Sequence, residues 1–167
     1  LYAAPDEEIG FTAEIIGRTL DISVGQLVDR VGVMLGLSFP CGGELEKLAM
    51  QSKMKKPPMK LSVKEGNCNL SGAENAAQKM LAKGEDPSDI ARFAILFAAK
   101  NILAMSEAAR EKYPGLPIVY AGGVMRNAII KDILAKNLPN VWFADTELSS
   151  DNAVGTAYLG LERHKRE

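Results

Sequence analysis

The chain is predicted to fold as an α/β protein, a sheet covered by helices, and three observations carry that prediction. Its last third alternates, with strand patterns at 117–121 and 141–144 and helical patterns at 123–136 and 150–163. Strands separated by helices are the mark of such sheets. A long helical pattern at 89–112 is apolar nearly all round from Phe93 to Ala99, which requires a packed central position. The composition, 47% hydrophobic and 25% charged over 167 residues, suits one globular domain with a sizeable core.

The remaining elements follow in chain order. Leu1 to Ala4 reads as the tail of a strand, and Pro5-Asp6-Glu7-Glu8 as the turn into a second strand over 11–20. Because the chain starts inside an element and without methionine, it is expected to be a fragment of a longer protein. Val24, Leu27, Val28, Val31 and Leu35 recur at helical spacing, and Gly36 can cap that helix. A Pro40-Cys41-Gly42-Gly43 loop leads to a short amphipathic helix at 44–51. Residues 53–60 are basic and contain prolines, which predicts an exposed connection. A hairpin of 59–63 with 67–70 turns at Glu65-Gly66, and Ser71 is placed to cap a helix running to about Lys83. Gly84 to Ser88 breaks the pattern before the long helix. No repeat or low-complexity tract interrupts this order.

Bulk properties exclude several classes. A net charge of -1 gives no general attraction to nucleic acid. Two cysteines, Cys41 and Cys68, make no disulfide framework, so small buried apolar roles in a reducing cytoplasm are expected. No apolar run is long enough to span a bilayer and no signal-peptide pattern is visible, so no membrane association is expected.

The segment most suggestive of chemistry is Pro117 to Asn127, a strand running into Gly122-Gly123 and then a helix. Glycines let a ligand approach the backbone, and a helix start offers free N–H groups and a positive dipole end. That suits a nucleotide, though the pattern is neither a Walker loop nor a dinucleotide fingerprint. Gly25, Asp29, Gly32 and Gly36 form a second stripe, opposite the apolar face of their helix. Asp29 could accept ribose hydroxyls; close helix packing with a solvated Asp29 explains the same spacing, and both alternatives stay open. Gly42-Gly43 is a second glycine loop, which an ordinary turn would also explain. At Asn67 to Gly72 small and polar residues sit at a strand-to-helix junction, where a cap explains Ser71 more simply than a phosphate contact. Asp151 opens the last helix, where the dipole favours a carboxylate without any function; one carboxylate is not a metal site. The single histidine, His164, lies in a charged tail, which removes the usual hydrolytic triads. Lysines 53, 55, 56 and 60 could touch RNA phosphates, but a solvated loop is the simpler account.

Taken in order, these motifs resemble the C-terminal half of the TsaD/YgjD family, long labelled glycoprotease or O-sialoglycoprotein endopeptidase. Thr19-Leu20-Asp21 through Asp29-Arg30 is similar to its TLDDAAGEAFDK segment. Leu35 to Ala49 is similar to LGL-YPGG-LEKLA, Leu70-Ser71-Gly72 to FSGL, Ala121 to Asn127 to AGGVAAN, and Asp151-Asn152-Ala153 to TDNAA. The resemblance implies one lobe of the two-lobed actin-like ATPase (ribonuclease H-like) architecture. That lobe would be a mixed sheet flanked by helices, with a helical insertion at about 72–113. It also implies that Asp29 and Gly42 contact the nucleoside or adenylate, that Gly122, Gly123 and Asn127 line its adenine and ribose side, and that Asp151 ligates a divalent metal, iron or zinc. ATP or an adenylate would be the bound nucleotide. The implied reaction moves a threonylcarbamoyl group from its adenylate to a tRNA adenosine beside the anticodon.

This chain departs from the pattern at Gln26, where the family has a carboxylate, at Cys41, where a glycine is usual, and at Glu74, where it has a lysine. The family's paired metal-binding histidines belong to the other half, so the fragment alone is expected to be inactive. Two alternatives accompany that reading. One is a divergent nucleotide-binding paralogue with another carbamoyl- or phosphoryl-transfer activity. The other is a non-catalytic assembly module that binds partner proteins of the threonylcarbamoylation complex. A bare inter-lobe surface could also drive homodimerisation. The glycoprotease label fits worst, since no protease machinery is visible.

Overall fold

The computed structural model describes residues 1–8, 10–145 and 153–165, with side chains described at all of these but 153 and 154. Its elements are β1 (Tyr2–Asp6), β2 (Gly10–Glu14), α1 (Val24–Met34), α2 (Gly42–Ala49), β3 (Val63–Lys64), β4 (Asn67–Cys68), α3 (Ser71–Ala82), α4 (Pro87–Lys112), β5 (Ile118–Tyr120), a 3-10 turn (Gly123–Arg126), α5 (Ala128–Asn137), β6 (Val141–Phe143) and α6 (Ala153–His164).

The mixed α/β class holds. Helix α4 is the axis: Ile90, Phe93, Ile95, Leu96 and Phe97 are buried, and α1, α2, α3 and α5 all pack on it. Asp86 caps it by accepting the Ser88 N–H at 2.8 Å, and Pro87 follows where a missing N–H costs nothing. Leu27 and Val31 of α1, Leu45 of α2, and Ile130 and Leu134 of α5 complete the core.

The strands depart from one continuous sheet. Described strands pair as three two-stranded units: β1–β2 antiparallel, β3–β4 antiparallel and β5–β6 parallel. The strand expected at 11–20 leaves β1 after Glu14, and its second half turns to β4 instead. There Cys68 N–H donates to Arg18 O at 3.1 Å and Leu20 N–H to Cys68 O at 2.8 Å. Gly17 permits that crossing, since a Cβ on it would lie 2.3 Å from Gly66 O. In β5, Ile118 N–H donates to Asn140 O and Tyr120 O accepts from Ala144 N–H. Backbone groups alternate sides along a strand, so those of Val119 point to the edge away from β6.

Two helix starts also differ from expectation. Leu70, not Ser71, occupies the cap position of α3, because the Asp21 carboxylate does the capping from 49 residues away. The helix expected at 123–136 is interrupted: a 3-10 turn ends at Arg126, and Asn127 then caps α5 by accepting the Ile130 N–H at 3.0 Å. No described helix is long and apolar enough to cross a membrane.

Candidate nucleotide-binding half-site

Helix α1 places Asp29 beside the start of α2. Asp29 Oδ1 accepts the Cys41 N–H at 2.9 Å, so a carboxylate from one helix satisfies an amide at the positive end of the next. Gly42 and Gly43 follow with open space where a Cβ would stand. Side chains would fit there; their absence leaves the first-turn amides of α2 uncovered.

The glycine stripe on α1 resolves mainly into packing. A Cβ on Gly32 would lie 2.2 Å from Cys41 Cβ, so this glycine sets how closely α1 meets α2. Gly36, at φ +82, ends the helix as expected. Gly25 is loosely packed, with Val124 Cγ2 3.9 Å from where its Cβ would be.

Gly122 adopts φ +100, ψ 161, a conformation open to glycine and rarely to other residues, as the chain leaves β5 for the 3-10 turn. Around Gly123 there is likewise room for a Cβ. Glu46 of α2 accepts the Ala128 N–H at 2.5 Å and so ties α2 to the start of α5. Asp29 thus stands beside Gly42 at the start of α2, while Gly122, Gly123 and Asn127 follow β5; the two groups are linked where α1 meets the 3-10 turn and through Glu46–Ala128. Asp151 lies outside the described residues, and no cluster of three or more His, Cys, Asp or Glu that could hold a metal occurs among the described ones.

Two concavities flank these elements. The smaller, about 530 Å³, is an open groove lined by Gln26, Asp29, Arg30, Val33, Met34, Phe39 and Glu74. Arg30 and Glu74 form an ion pair across it at 2.9 Å, linking α1 to α3. The larger, about 1060 Å³, runs between Leu1-Tyr2, the C-terminal half of α4 and the edge of β5 away from β6. Of the five predicted site residues that are described, Asp29 lines the smaller groove and none lines the larger, and both surfaces are mostly apolar.

Sequence reasoning missed the roles of Asp21 and Glu46. The Asp21 carboxylate accepts N–H groups of Ile22 (2.7 Å), Leu70 (2.7 Å) and Ser71 (3.0 Å) and the Ser71 hydroxyl (2.5 Å). Partial desolvation pushes its pKa up, but these four hydrogen bonds outweigh it and hold the group at about 2. Partners so distant in sequence leave no spacing signal. Both thiols are buried; desolvation first, then the Asp29 and Glu44 charges, push the Cys41 pKa up. His164 is exposed, as expected of a charged tail.

Comparison with known proteins gives the family of the chain. The family described as "TsaD: tRNA N6-adenosine threonylcarbamoyltransferase" matches residues 7–158. Similar curated relatives include a tRNA N6-adenosine threonylcarbamoyltransferase of Wolbachia pipientis wMel, 31% identical over 89% of this chain and 48% of that protein. Another, from Streptococcus pneumoniae serotype 2 (strain D39 / NCTC 7466), is 32% identical over 92% of this chain and 49% of that protein. The chain spans about half the length of the curated relatives it matches. Among solved structures, the T. kodakarensis HypF crystal structure superposes with TM-score 0.69 at 21% identity, over 83% of this chain and 19% of that one. At that identity the likeness speaks for the fold alone.

Proposed function

The chain belongs to the tRNA N6-adenosine threonylcarbamoyltransferase family, and from that premise we propose that it is the substrate-binding, C-terminal lobe of an actin-like, two-lobed transferase acting on tRNA adenosine. The observation that carries this reading is the Asp29–Cys41 hydrogen bond beside bare Gly42-Gly43. With Oδ1 held by the amide, Oδ2 of Asp29 is left for ribose hydroxyls of an adenylate. A carboxylate already at that helix end disfavours a phosphate there; the phosphate belongs further along, on the uncovered amides of Gly42 and Gly43. Gly122, Gly123 and Asn127 then line the adenine and ribose side.

In the transfer, the adenosine N6 attacks the carbamoyl carbon, the adenylate leaves as AMP, and the amine loses a proton. These residues contribute orientation and fixed dipoles. A divalent metal would supply charge stabilisation at the reacting oxygens. Asp151 would be one of its ligands, with the others and the protein partners lying outside this chain. The 167-residue lobe alone is therefore inactive, and the segment at about 72–113 is its helical insertion.

The test uses the complete gene product with threonylcarbamoyl-adenylate and unmodified tRNA. Modified adenosine is expected, lost with Asp29→Ala and absent with the 167-residue chain alone. Nucleotide turnover without tRNA product would instead favour a divergent paralogue with another carbamoyl- or phosphoryl-transfer step. The Arg30–Glu74 pair supports that second reading, since the family has a lysine where Glu74 stands.

A further inference from the structure

The net charge of -1 conceals a local concentration of positive charge. Lys47, Lys53, Lys55, Lys56, Lys60 and Lys64 all fall within residues 47–64, which include no Asp or Glu. All six are exposed. The ion pairs formed among the described residues use Arg30, Lys112, Lys136 and Lys165, and none of these six.

This stretch has little regular structure, yet its backbone is fastened to α4 at several points. The Ser52 hydroxyl bonds the Asp89 carboxylate and accepts the Met54 N–H at 3.0 Å. Arg92 Nε donates to Met54 O at 3.2 Å. Asn101, 1% exposed, accepts the Ser62 N–H at 3.3 Å. Met54 and Met59 pack against the core, and Pro57-Pro58 stiffen the chain between them. A merely solvated loop needs none of these fastenings. Here they hold unpaired lysines on an ordered backbone, so less conformational freedom is lost when a polyanion binds.

We propose that this fastened lysine segment binds the sugar-phosphate backbone of a structured RNA, independent of its sequence. Calling the polyanion RNA rests on the tRNA reading above; the charge and the fastening do not. The segment begins at the far end of α2, an eight-residue helix of about 12 Å whose near end is Gly42. An RNA whose reacting adenosine lies beside an adenylate held at Gly42 is long enough to reach the lysines. Membrane binding would call for a contiguous exposed apolar face beside the charges, whereas Met54 and Met59 turn inward and the exposed Met50 and Leu61 stand apart at the two ends of the segment.

The test is fluorescence anisotropy of labelled, unmodified tRNA with the complete gene product across a KCl series. Replacing Lys53, Lys55, Lys56 and Lys60 with glutamine is expected to weaken binding about tenfold or more at 0.1 M salt. The slope of log K against log salt should shrink by about 3, close to one unit per lost phosphate contact. A control with Lys79, Lys83, Lys112 and Lys136 changed to glutamine should bind like wild type. Equal affinity and slope in wild type and the first variant would overturn the proposal, as would binding to phosphatidylserine vesicles but not to tRNA. Lysine-dependent tRNA binding by a wild-type protein that transfers no threonylcarbamoyl group would count against the catalytic reading and leave this one standing.

Discussion

Gly32→Ala is the sharpest probe of how the two helices that build the site meet. On an exposed helix this change would stabilise by about 1 kcal/mol, since alanine is the better helix former. Here the new Cβ would stand 2.2 Å from Cys41 Cβ and 2.7 Å from its Sγ, against ordinary contacts that begin at 3.4 Å. The first contact is to an atom fixed to the backbone, so a rotamer change cannot relieve it. Helix α1 and the start of α2 must part by about 1.2 Å, an overpacking that costs roughly 1–3 kcal/mol. Parting them also stretches the 2.9 Å Asp29–Cys41 hydrogen bond, worth about 1 kcal/mol. The net expectation is a destabilisation of about 1–3 kcal/mol, or roughly 3–9 °C in Tm for a chain of this size. Urea unfolding of wild type, Gly32→Ala, Cys41→Gly and the double variant measures it as a cycle. Removing the Cys41 side chain should relieve the clash, leaving the double variant at least about 1 kcal/mol more stable than additivity predicts. A neutral or stabilised Gly32→Ala, or strict additivity, would refute the reasoning.

Three further outcomes are expected. Asp21→Asn removes a carboxylate whose pKa is lowered from 3.8 to about 2; allowing for its solvent exposure, the cost is about 1 kcal/mol at neutral pH. Because the folded pKa is the depressed one, the contribution is complete above about pH 4 and fades as pH falls toward 2, so urea midpoints of wild type and variant should converge there. Tyr120→Phe deletes a buried hydroxyl 2.6 Å from Ser106 Oγ. The Ser106 hydroxyl donates to Ile102 O, so the tyrosine is the donor, and the change should cost about 1 kcal/mol in urea unfolding. Burial raises the Tyr120 pKa, so wild-type stability should drop once pH rises past 10 and the variant should lack that part of the fall. Asn101→Ala leaves the Ser62 N–H without its partner and should cost about 2 kcal/mol. It should also unfasten the lysine segment, so trypsin should cut at Lys55-Lys56 several times faster than in wild type.

Much of the helical part was legible because it obeys periodicity. Val24, Leu27, Val28 and Val31 mark α1, and the apolar run from Phe93 to Ala99 marks the central helix. The Glu65-Gly66 turn was legible from its residues, and both adopt positive φ. What local pattern could not carry was long-range exchange of hydrogen bonds. The segment after Glu14 looks like more strand because Ile15 and Ile16 are β-formers, yet its backbone goes to Cys68. Ser71 looks like a cap because serines often are, and only the fold brings Asp21 to do the work. In the site, the glycine–aspartate stripe was visible, but spacing could not separate packing from recognition. Geometry divides it: Gly32 is packing, Gly36 is a helix end, and Asp29 supports the start of α2 with one oxygen.

The short β5–β6 ribbon bears on how the two groups of candidate residues behave over time. A two-stranded pair is only marginally stable by itself, and β5–β6 has three residues in each strand. Its opening free energy should therefore lie well below that of the helices packed on α4, and its amides should exchange with deuterium early. Asp29 and Gly42 ride on those helices, whereas Gly122 and Gly123 hang from the end of the ribbon. The proposed site would thus pair residues on a set helical frame with residues that open more readily. A ligand bridging them would leave exchange at Asp29 nearly unchanged and slow it sharply from Val119 to Gly123.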